Sequence, residues 1–517
     1  MSTLTPSYAE FKASASQGDF AGFLKRIDFL KDPFRTYRRF RGGPPSVLLE
    51  SARVSSRMGR YSVVAKDPFL IFKAKGRRVE LQSYQTAEVL EADPFLVIAH
   101  ILRRLKSKPG HEAGRPLADH GLPPFMGGAV GYFGYEAKNL LEPRLSQKSK
   151  DDLGLPDIYL LFFDQGILWD HVDKSSALFA DIRVGNNLKS CYESAVRKIA
   201  VLEADLSRCE REKTVSPRAP SRARFFPASI DSSLTRSGFM EIVEKAKRYI
   251  RQGEIYQANL SQRFSFPMKE EPAVIYERLR TLNPSSFFGY LDAGDFQILS
   301  GSPERLVKLE SGILETRPIA GTRSRGRTLE EDARQSLDLI LNEKERAEHI
   351  MLVDLERNDL GRVAEYGSVH VDELMRLEDY AHVKHIVSNV QGALRRGLGA
   401  MDVLKAFFPG GTITGAPKVR CMEIIDELEP VARGPYTGSL GYLSFTGNMD
   451  MNIIIRSLVV NQETGHLNVG AGIVADSSPE REYEETLYKA ESVFNAIFGK
   501  GNTDAFLAKR GIASRIS

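Results

Sequence analysis

The chain has 517 residues, of which 42% are hydrophobic and 27% are charged, and its net charge is +4. This composition is typical of soluble globular proteins, and the length predicts two to four domains. The balanced charge and scattered basic residues argue against a nucleic-acid partner. No apolar run is long enough to cross a bilayer, which takes about 20 residues, and residues 1–20 lack the apolar core of a signal peptide. We therefore expect a cytoplasmic protein without membrane contact.

The predicted elements of residues 1–209, which we treat as an N-terminal region, are mainly short strands. Alternating apolar residues predict two strands within residues 61–81 and two more around Gly166, and a helix follows over about 187–208. Residues 210–234 are polar and contain prolines, which is typical of a linker or a surface crossover.

Residues 235–500 mix helices with antiparallel strands. Apolar periodicity predicts a helix that ends near Gly253, one long helix over residues 329–360, strands over 436–475 and a last helix over about 479–498. Residues 501–517 are expected to form a C-terminal tail. Strand clusters interrupted by helices, without strict βαβ alternation, predict an α+β layered fold.

The stretch "FPGGTITGAPKVR" (residues 408–420) has some features of a nucleotide-binding loop. Gly410 and Gly415 have the spacing of a P-loop, but Lys418 comes two positions late and no hydroxyl residue follows it. Glycine-rich backbone before a helix can still bind a small anion through its N–H groups. A plain tight turn explains the pattern equally well, so both interpretations stay open here.

Acidic residues on two predicted helices indicate a metal site. Glu348 lies in an increasingly apolar stretch, and Glu482 and Glu485 share one face of the last helix because they are three residues apart. Carboxylates from two helices suit Mg²⁺, which prefers oxygen ligands and keeps waters that an anionic substrate can replace. The alternative is two solvated acidic helix faces.

Basic residues and glycines indicate an anion site. Arg456 lies in "MNIIIRSLVV", a predicted apolar strand, where a buried charge requires an anionic partner that is either a ligand or a protein carboxylate. Gly470 and Gly472 would let a ligand approach the backbone, and Lys489 lies one helical turn after Glu485. Together these residues predict a small polyanion that is held partly by the metal.

Seven motifs occur in a fixed order between residues 300 and 490, namely "SGSPERL", "RPIAGT", "RAEHIMLVDLERNDLGRV", "HVKHIVS", "FPGGTITGAPKVRCMEIIDELEP", "GYLSFTGNMD" and "GAGIVADSSPEREYEETLYKA". This series resembles the chorismate-utilising enzymes, which include anthranilate synthase component I, aminodeoxychorismate synthase component I and the isochorismate and salicylate synthases. The resemblance is strong over residues 236–498 and looser over 45–170. It implies the fold of anthranilate synthase component I, an α+β sandwich of large antiparallel sheets flanked by helices.

The resemblance also implies a role for each candidate residue. Glu304 would be the general acid that protonates the departing C4 hydroxyl of chorismate, a task that suits a raised pKa, and His385 would lie under the substrate ring. Glu348 and Glu485 would bind Mg²⁺, with Glu482 beside them. The enolpyruvyl group and the carboxylates of the substrate would be held by Thr412, Tyr436, Arg456, Gly470, Gly472 and Lys489.

Gln257 predicts the nucleophile. The resemblance implies that the isochorismate and salicylate synthases carry a lysine at this position, which activates water, and glutamine cannot act as that base. We therefore expect ammonia to attack. The chain's three cysteines, Cys191, Cys209 and Cys421, lack the sequence context of a nucleophile or a disulfide framework, so we predict a separate glutamine amidotransferase subunit as the ammonia source.

The sequence predicts the aminated product less directly than it predicts the nucleophile. Several motifs look more like the aminodeoxychorismate branch, and we favour 4-amino-4-deoxychorismate for folate synthesis. Ala320 favours the alternative, anthranilate for tryptophan synthesis, because well-known aminodeoxychorismate synthases carry a lysine there. Glu50 and Ser51 match half of the tryptophan inhibition site of anthranilate synthases, but residues 286–288 depart from the other half, so we interpret the pair as a vestige. A non-catalytic relative that binds a small anion is the remaining hypothesis.

Overall fold

A computed structural model describes residues 4–15, 20–51, 58–107, 123–145, 148–211, 230–326, 328–379 and 383–510. Within these ranges, 25 strands form two antiparallel sheets of 13 and 12 strands, and 13 α-helices pack around them. The predicted α+β sandwich of large antiparallel sheets is therefore confirmed.

The first sheet combines strands from both ends of the chain, because β3 of the N-terminal region pairs with β14. Its strands in spatial order are β1 (Leu4–Thr5), β2 (Phe20–Ile27), β11 (Ser175–Arg183), β10 (Gln165–Asp170), β4 (Tyr61–Lys66), β3 (Ser46–Glu50), β14 (Phe287–Asp292), β15 (Phe296–Ser302), β24 (Ser457–Asn461), β25 (Thr464–Ile473), β13 (Gln257–Pro267) and β12 (Asp231–Ser232), and β21 (Gly415–Ala416) also pairs with β13.

The second sheet is interleaved in the same way, because β8 pairs with β22. Its strands in spatial order are β18 (Ile319–Ser324), β20 (Val383–Ala393), β17 (Ile313–Thr316), β16 (Arg305–Glu310), β23 (Met449–Asn452), β22 (Ser439–Ser444), β8 (Gly128–Phe133), β9 (Ile158–Phe163), β5 (Leu70–Lys75), β6 (Arg78–Ser83) and β7 (Ala87–Glu91), and β19 (His370–Asp379) also pairs with β20.

The helices cover the outer faces of the two sheets, so the molecule has four layers. One apolar cluster lies between the sheets, since it joins Val47 and Val63 of the first to Val130 and Leu161 of the second. Two larger clusters pack each sheet against its helices. The helices are α1 (Tyr8–Ser14), α2 (Pro33–Phe40), α3 (Pro94–Arg104), α4 (Lys138–Leu141), α5 (Leu188–Arg211), α6 (Arg236–Arg251), α7 (Pro272–Leu282), α8 (Leu329–Leu341), α9 (Glu343–Gly361), α10 (Ala400–Phe407), α11 (Lys418–Leu428), α12 (Pro479–Phe498) and α13 (Lys500–Ala508).

Three sequence predictions about elements need correction. The long helix predicted over residues 329–360 is two helices, because Asn342 ends α8 and caps α9 by accepting the N–H of Glu345 at 3.0 Å. The predicted C-terminal tail begins as helix α13, which buries Phe506 and Leu507. Residues 61–81 form three strands rather than two, and the chain changes sheets between β4 and β5.

The division at the predicted linker stays a prediction. Most of residues 210–234 lies outside the described ranges, while α5 extends to Arg211 and β12 occupies Asp231–Ser232. Both sheets take strands from each side of this segment. Among the described residues, no helix is both long and apolar enough to cross a membrane.

Candidate active site

Two chain crossovers between the sheets run side by side and form the centre of the site. The first, between β15 and β16, carries Glu304, and the second, between β23 and β24, carries Arg456. They are joined because Ile453 N donates to Glu304 O at 3.1 Å and Ser302 Oγ donates to Ile453 O at 2.6 Å. The sheet crossovers therefore bring an acid and a cation together.

Arg456 does not lie in a strand, as the sequence predicted. Its φ of +50° places it in the left-handed region within the crossover, and its side chain is half-buried. The apolar residues before it belong to a segment that passes from one sheet to the other, which explains their hydrophobicity. The positive charge of Arg456 lowers the pKa of the Glu304 carboxyl, so Glu304 is one anionic group near Arg456.

Glu304 has the protonation behaviour expected of a general acid. It is 7% exposed, and this burial raises the pKa of its carboxyl from 4.5 to about 7. The nearby hydroxyl of Thr412 and the charges of Arg456 and Lys489 oppose the rise. Near neutral pH the carboxyl therefore exists in both forms and can deliver a proton.

The glycine loop of residues 408–418 is fastened to the start of β13. Gln257 pairs with Ala416 and Ala258 with Gly415, and Asn259 N donates to Thr414 O at 2.9 Å. The Thr412 hydroxyl is buried near Glu304 and makes no hydrogen bond of normal geometry within the described residues. The loop is therefore more than a plain turn, because it places a buried hydroxyl beside the acid.

Gly470 and Gly472 on β25 let β13 and Tyr436 pack closely against the β25 backbone. A Cβ on Gly470 would lie 2.7 Å from Asn259 Oδ1 and 2.9 Å from the Tyr436 hydroxyl, and a Cβ on Gly472 would lie 2.6 Å from Gln257 Nε2. No side chain fits at either position without moving these groups. The protein's own groups make this close approach, and the approach of a ligand to the same backbone stays a prediction.

We expect Gly470→Ala to raise the KM for the substrate by about 5- to 100-fold, because the extra methyl meets the backbone oxygen of Leu260 at 2.9 Å as well as two site side chains. Overpacking of this kind destabilises a packed arrangement by about 1–3 kcal/mol. Steady-state kinetics with thermal denaturation would test this. The matched control is Gly501→Ala, whose new methyl meets nothing within 4 Å, and equal KM values for the two variants would contradict the assignment.

Gln257 connects β13 to the helix that carries Glu348. Its Nε2 donates to Glu348 Oε1 at 3.4 Å, and its side chain is 5% exposed. No lysine occupies this place, so the structure offers no amine there to deprotonate a water. Glu348 itself is half-buried on α9.

Glu482 and Glu485 lie on α12, as predicted, and Glu485 pairs with Lys489 at 2.7 Å. Lys489 also donates to Gly470 O at 3.0 Å, which places it beside the glycine pair. Among the described residues, no group of three or more His, Cys, Asp or Glu side chains could hold a metal ion. The assignment of Glu348, Glu482 and Glu485 to a metal site stays a prediction.

Two carboxylates nevertheless fit the chemistry of Mg²⁺. This ion is usually held by one or two carboxylates, with waters and substrate oxygens as its other ligands. Glu348 accepts a hydrogen bond from Gln257, whose side chain lies beside Gly472. Glu485 pairs with Lys489, which donates to Gly470 O. The two carboxylates thus approach the glycine pair from different helices, which leaves Glu348 and Glu485 as the predicted ligands.

His385 and Ala320 lie on the paired strands β20 and β18. The ladder is irregular between Ala320 and Thr322, where Gly321 adopts φ +63° and directs its carbonyl to His385 Nδ1 at 2.9 Å. A carbonyl only accepts, so this hydrogen bond places a proton on Nδ1 of His385. Ala320 is 7% exposed and provides no amine.

Arg433 is a positioning residue that the sequence analysis missed. Its buried guanidinium donates to Glu429, to Ile413 O of the glycine loop at 3.0 Å and to Asn259 O of β13 at 2.6 Å, and it lies 5.8 Å from the Tyr436 ring. A charged residue three positions before Tyr436 in "RGPYTG" was the available signal. It holds together three parts of the site.

Glu50 and Ser51, the predicted tryptophan vestige, lie at the end of β3, where Glu50 pairs with Phe288 of β14. Arg280 on α7 donates to Glu50 Oε2 at 2.8 Å, and burial raises the pKa of the Glu50 carboxyl to about 7. Ser51 N donates to Ser62 Oγ at 3.4 Å. Glu50 thus ties α7 to the first sheet, and the vestigial role stays a prediction.

Comparison with known proteins places this geometry in context. The model of the chorismate binding enzyme family matches residues 48–495. Anthranilate synthase component 1 of Acetivibrio thermocellus is 41% identical over 469 residues, which cover 90% of this chain and 93% of that protein. Aminodeoxychorismate synthase component 1 of Bacillus subtilis is 43% identical over 475 residues, which cover 92% and 96%.

Solved structures agree with the fold. Anthranilate synthase component I of Streptococcus pneumoniae superposes with a TM-score of 0.70 at 35% identity and covers 85% of this chain and 93% of its own. The menaquinone-specific isochorismate synthase of Escherichia coli superposes with a TM-score of 0.68 at 18% identity, covering 93% and 95%. At that identity, the second match concerns the fold alone.

Proposed function

Because this chain belongs to the family of chorismate binding enzymes, we propose that it aminates chorismate with ammonia to give 4-amino-4-deoxychorismate, with Mg²⁺ as cofactor. The observation that carries amination is Gln257, which holds a neutral amide against Glu348 where water addition would need a base. The resemblance of several motifs to aminodeoxychorismate synthases supports the C4 product.

The proposed reaction converts chorismate and ammonia into 4-amino-4-deoxychorismate and water. A C–N bond forms and the C4–O bond breaks, with its electron pair leaving on oxygen. Glu304 supplies the proton that turns this oxygen into water, and the proton lost from the added nitrogen restores the acid. Arg456, Lys489 and Tyr436 would hold the substrate carboxylates.

Bound Mg²⁺ would orient the ring carboxylate and neutralise part of its charge. Glu348 and Glu485 are the residues that would hold it. His385, with a proton on Nδ1 that is donated to Gly321 O, would present its ring face below the substrate.

Ammonia is proposed to come from a separate glutamine amidotransferase subunit. Glutamine hydrolysis requires a thiolate, but burial raises the pKa of the Cys421 thiol to about 12. The Cys191 and Cys209 thiols hydrogen bond with backbone N–H and C=O groups respectively, and each is half-buried. These contacts favour structural roles for all three cysteines.

Anthranilate formation is the second candidate function, and Ala320 favours it. An amine at this position on β18 could attack C2 and so direct ammonia to C4, whereas alanine leaves C2 open to ammonia itself. The relatives at 41% and 43% identity include one enzyme of each kind, so identity supports both candidates equally.

Product identification tests the proposal. We expect the chain, incubated with chorismate, Mg²⁺ and ammonium at mildly alkaline pH, to yield 4-aminobenzoate only after an aminodeoxychorismate lyase is added. Chromatography with fluorescence detection separates the outcomes. Fluorescent anthranilate without the lyase would establish the second candidate instead. Chorismate binding without any product would indicate a non-catalytic relative.

A further inference from the structure

Two carboxamide oxygens at the start of β13 are buried without a hydrogen-bond partner among the described residues. They are Gln257 Oε1 and Asn259 Oδ1. A buried acceptor left unpaired costs about 1–3 kcal/mol, so such groups in a cleft indicate a missing donor. The Gln257 oxygen belongs to a residue already expected in the site, whereas Asn259 has no role so far.

The two side chains lie on the same face of β13, beside Gly470 and Gly472. They are two residues apart on one strand, so they point to the same side of the sheet with Cα atoms about 7 Å apart. Gln257 Nε2 lies 2.6 Å from the place of a Cβ on Gly472, and Asn259 Oδ1 lies 2.7 Å from the place of a Cβ on Gly470. The Gln257 amide nitrogen donates to Glu348 at 3.4 Å, which leaves its oxygen for another donor.

The substrate cannot satisfy both oxygens. Ionised chorismate carries two carboxylates, which only accept hydrogen bonds, and its single O–H donor is the C4 hydroxyl that the reaction places near Glu304. Ammonia has three N–H donors and one lone pair. Because the lone pair must stay free to attack carbon, an ammonia site should offer acceptors rather than donors.

We propose that Asn259 Oδ1 and Gln257 Oε1 accept hydrogen bonds from ammonia and hold it for attack on chorismate, an inference that rests on the proposed amination. The backbone of Asn259 is fixed on both sides, because its N–H donates to Thr414 O at 2.9 Å and its carbonyl accepts from Arg433 at 2.6 Å. The carboxamide therefore extends from a rigid position on β13 toward Gly470. Asn259 is thus a nucleophile-binding residue of the site.

The test is the KM for ammonia, measured with the full chain, Mg²⁺ and ammonium chloride at constant pH. Asn259→Leu removes the acceptor and keeps a similar size, and we expect the ammonia KM to rise about tenfold, as for one lost hydrogen bond. The KM and the dissociation constant for chorismate should stay near the wild-type values. Asn259→Asp keeps an acceptor oxygen and should restore most of the ammonia affinity.

The control is Asn461→Ala, at the far end of β24, which should leave both KM values unchanged. An unchanged ammonia KM in Asn259→Leu, a rise in the chorismate KM alone, or an Asp variant that behaves like the Leu variant would each overturn the proposal. If thermal denaturation shows that the Leu variant is unfolded, Asn259→Ala replaces it, and the same changes in the KM for ammonia and for chorismate are expected. A wild-type chain that forms no aminated product refutes the proposed function itself, which separates the two failures.

Discussion

Glu304→Gln is expected to lower kcat by about 10²- to 10⁴-fold, the usual contribution of a positioned general acid. Glutamine has the same shape but cannot release a proton, so the C4 hydroxyl must depart without help. Chorismate binding should persist because Arg456 and Lys489 are unchanged. Steady-state kinetics and a binding titration on the same preparation would measure both effects.

The pH dependence of the rate tests the role of Glu304 most directly. In the wild type the proton is lost as pH rises through about 7, the pKa that burial gives Glu304, so the rate should fall along this limb. The residual rate of Glu304→Gln should show no such fall. Glu50→Gln is the matched control, because burial gives Glu50 a pKa of about 7 as well, but its carboxyl pairs with Arg280 on α7. This variant should keep the fall in rate.

The raised pKa of Glu304 also makes the stability of the folded protein depend on pH. The folded pKa of Glu304 lies above its unfolded value, so the protonated carboxyl contributes stability below pH 4.5 that is lost as pH rises through about 7. Glu304→Gln should therefore gain melting temperature relative to the wild type at pH 8 more than at pH 5. A variant that loses activity but shows an equal difference at both pH values would contradict the proposed pKa.

Glu348→Gln is expected to raise the Mg²⁺ concentration for half-maximal activity by about 10- to 100-fold, the range seen when groups that support a metal are removed. The new amide keeps an oxygen that can accept from Gln257 Nε2, so the local packing should survive. Excess Mg²⁺ should restore part of the rate. Activity followed against Mg²⁺ concentration measures the shift.

The control for this experiment is Glu343→Gln, an exposed acid in the first turn of the same helix. It changes the helix charge equally without touching the cleft. If both variants respond to Mg²⁺ like the wild type, Glu348 is not a ligand. Calorimetric titration of the chain with Mg²⁺ and chorismate gives a readout that does not depend on turnover.

The sequence predicted elements well where one periodicity ran unbroken. The helix expected over about 187–208 is α5, and the one expected over about 479–498 is α12. The break at Asn342 was hidden because two helices share one continuous amphipathic pattern, and only the cap hydrogen bond separates them. Arg456 was placed in a strand because a crossover buried between two sheets has the same apolar composition as a strand.

The site was predicted through its motifs rather than its geometry. Glu304 and Arg456 are about 150 residues apart in sequence, and no local pattern shows that their two crossovers run side by side, a long-range arrangement of the kind that sequence rules seldom reach. Arg433 and Asn259 were missed for the same reason. The importance of each comes from partners on distant elements, and the position of Arg433 three residues before Tyr436 was the one local signal.

The interleaved sheets constrain the order in which the chain can fold during its synthesis. Glu50 accepts a hydrogen bond from Arg280, which lies 230 residues later in the sequence. Gly127 accepts one from Ser444, which lies 317 residues later. Strands β3 and β8 therefore emerge from the ribosome long before the strands that will cover their edges. Unpaired strand edges readily associate with other chains, so the nascent N-terminal region must be shielded until nearly the whole protein has been translated.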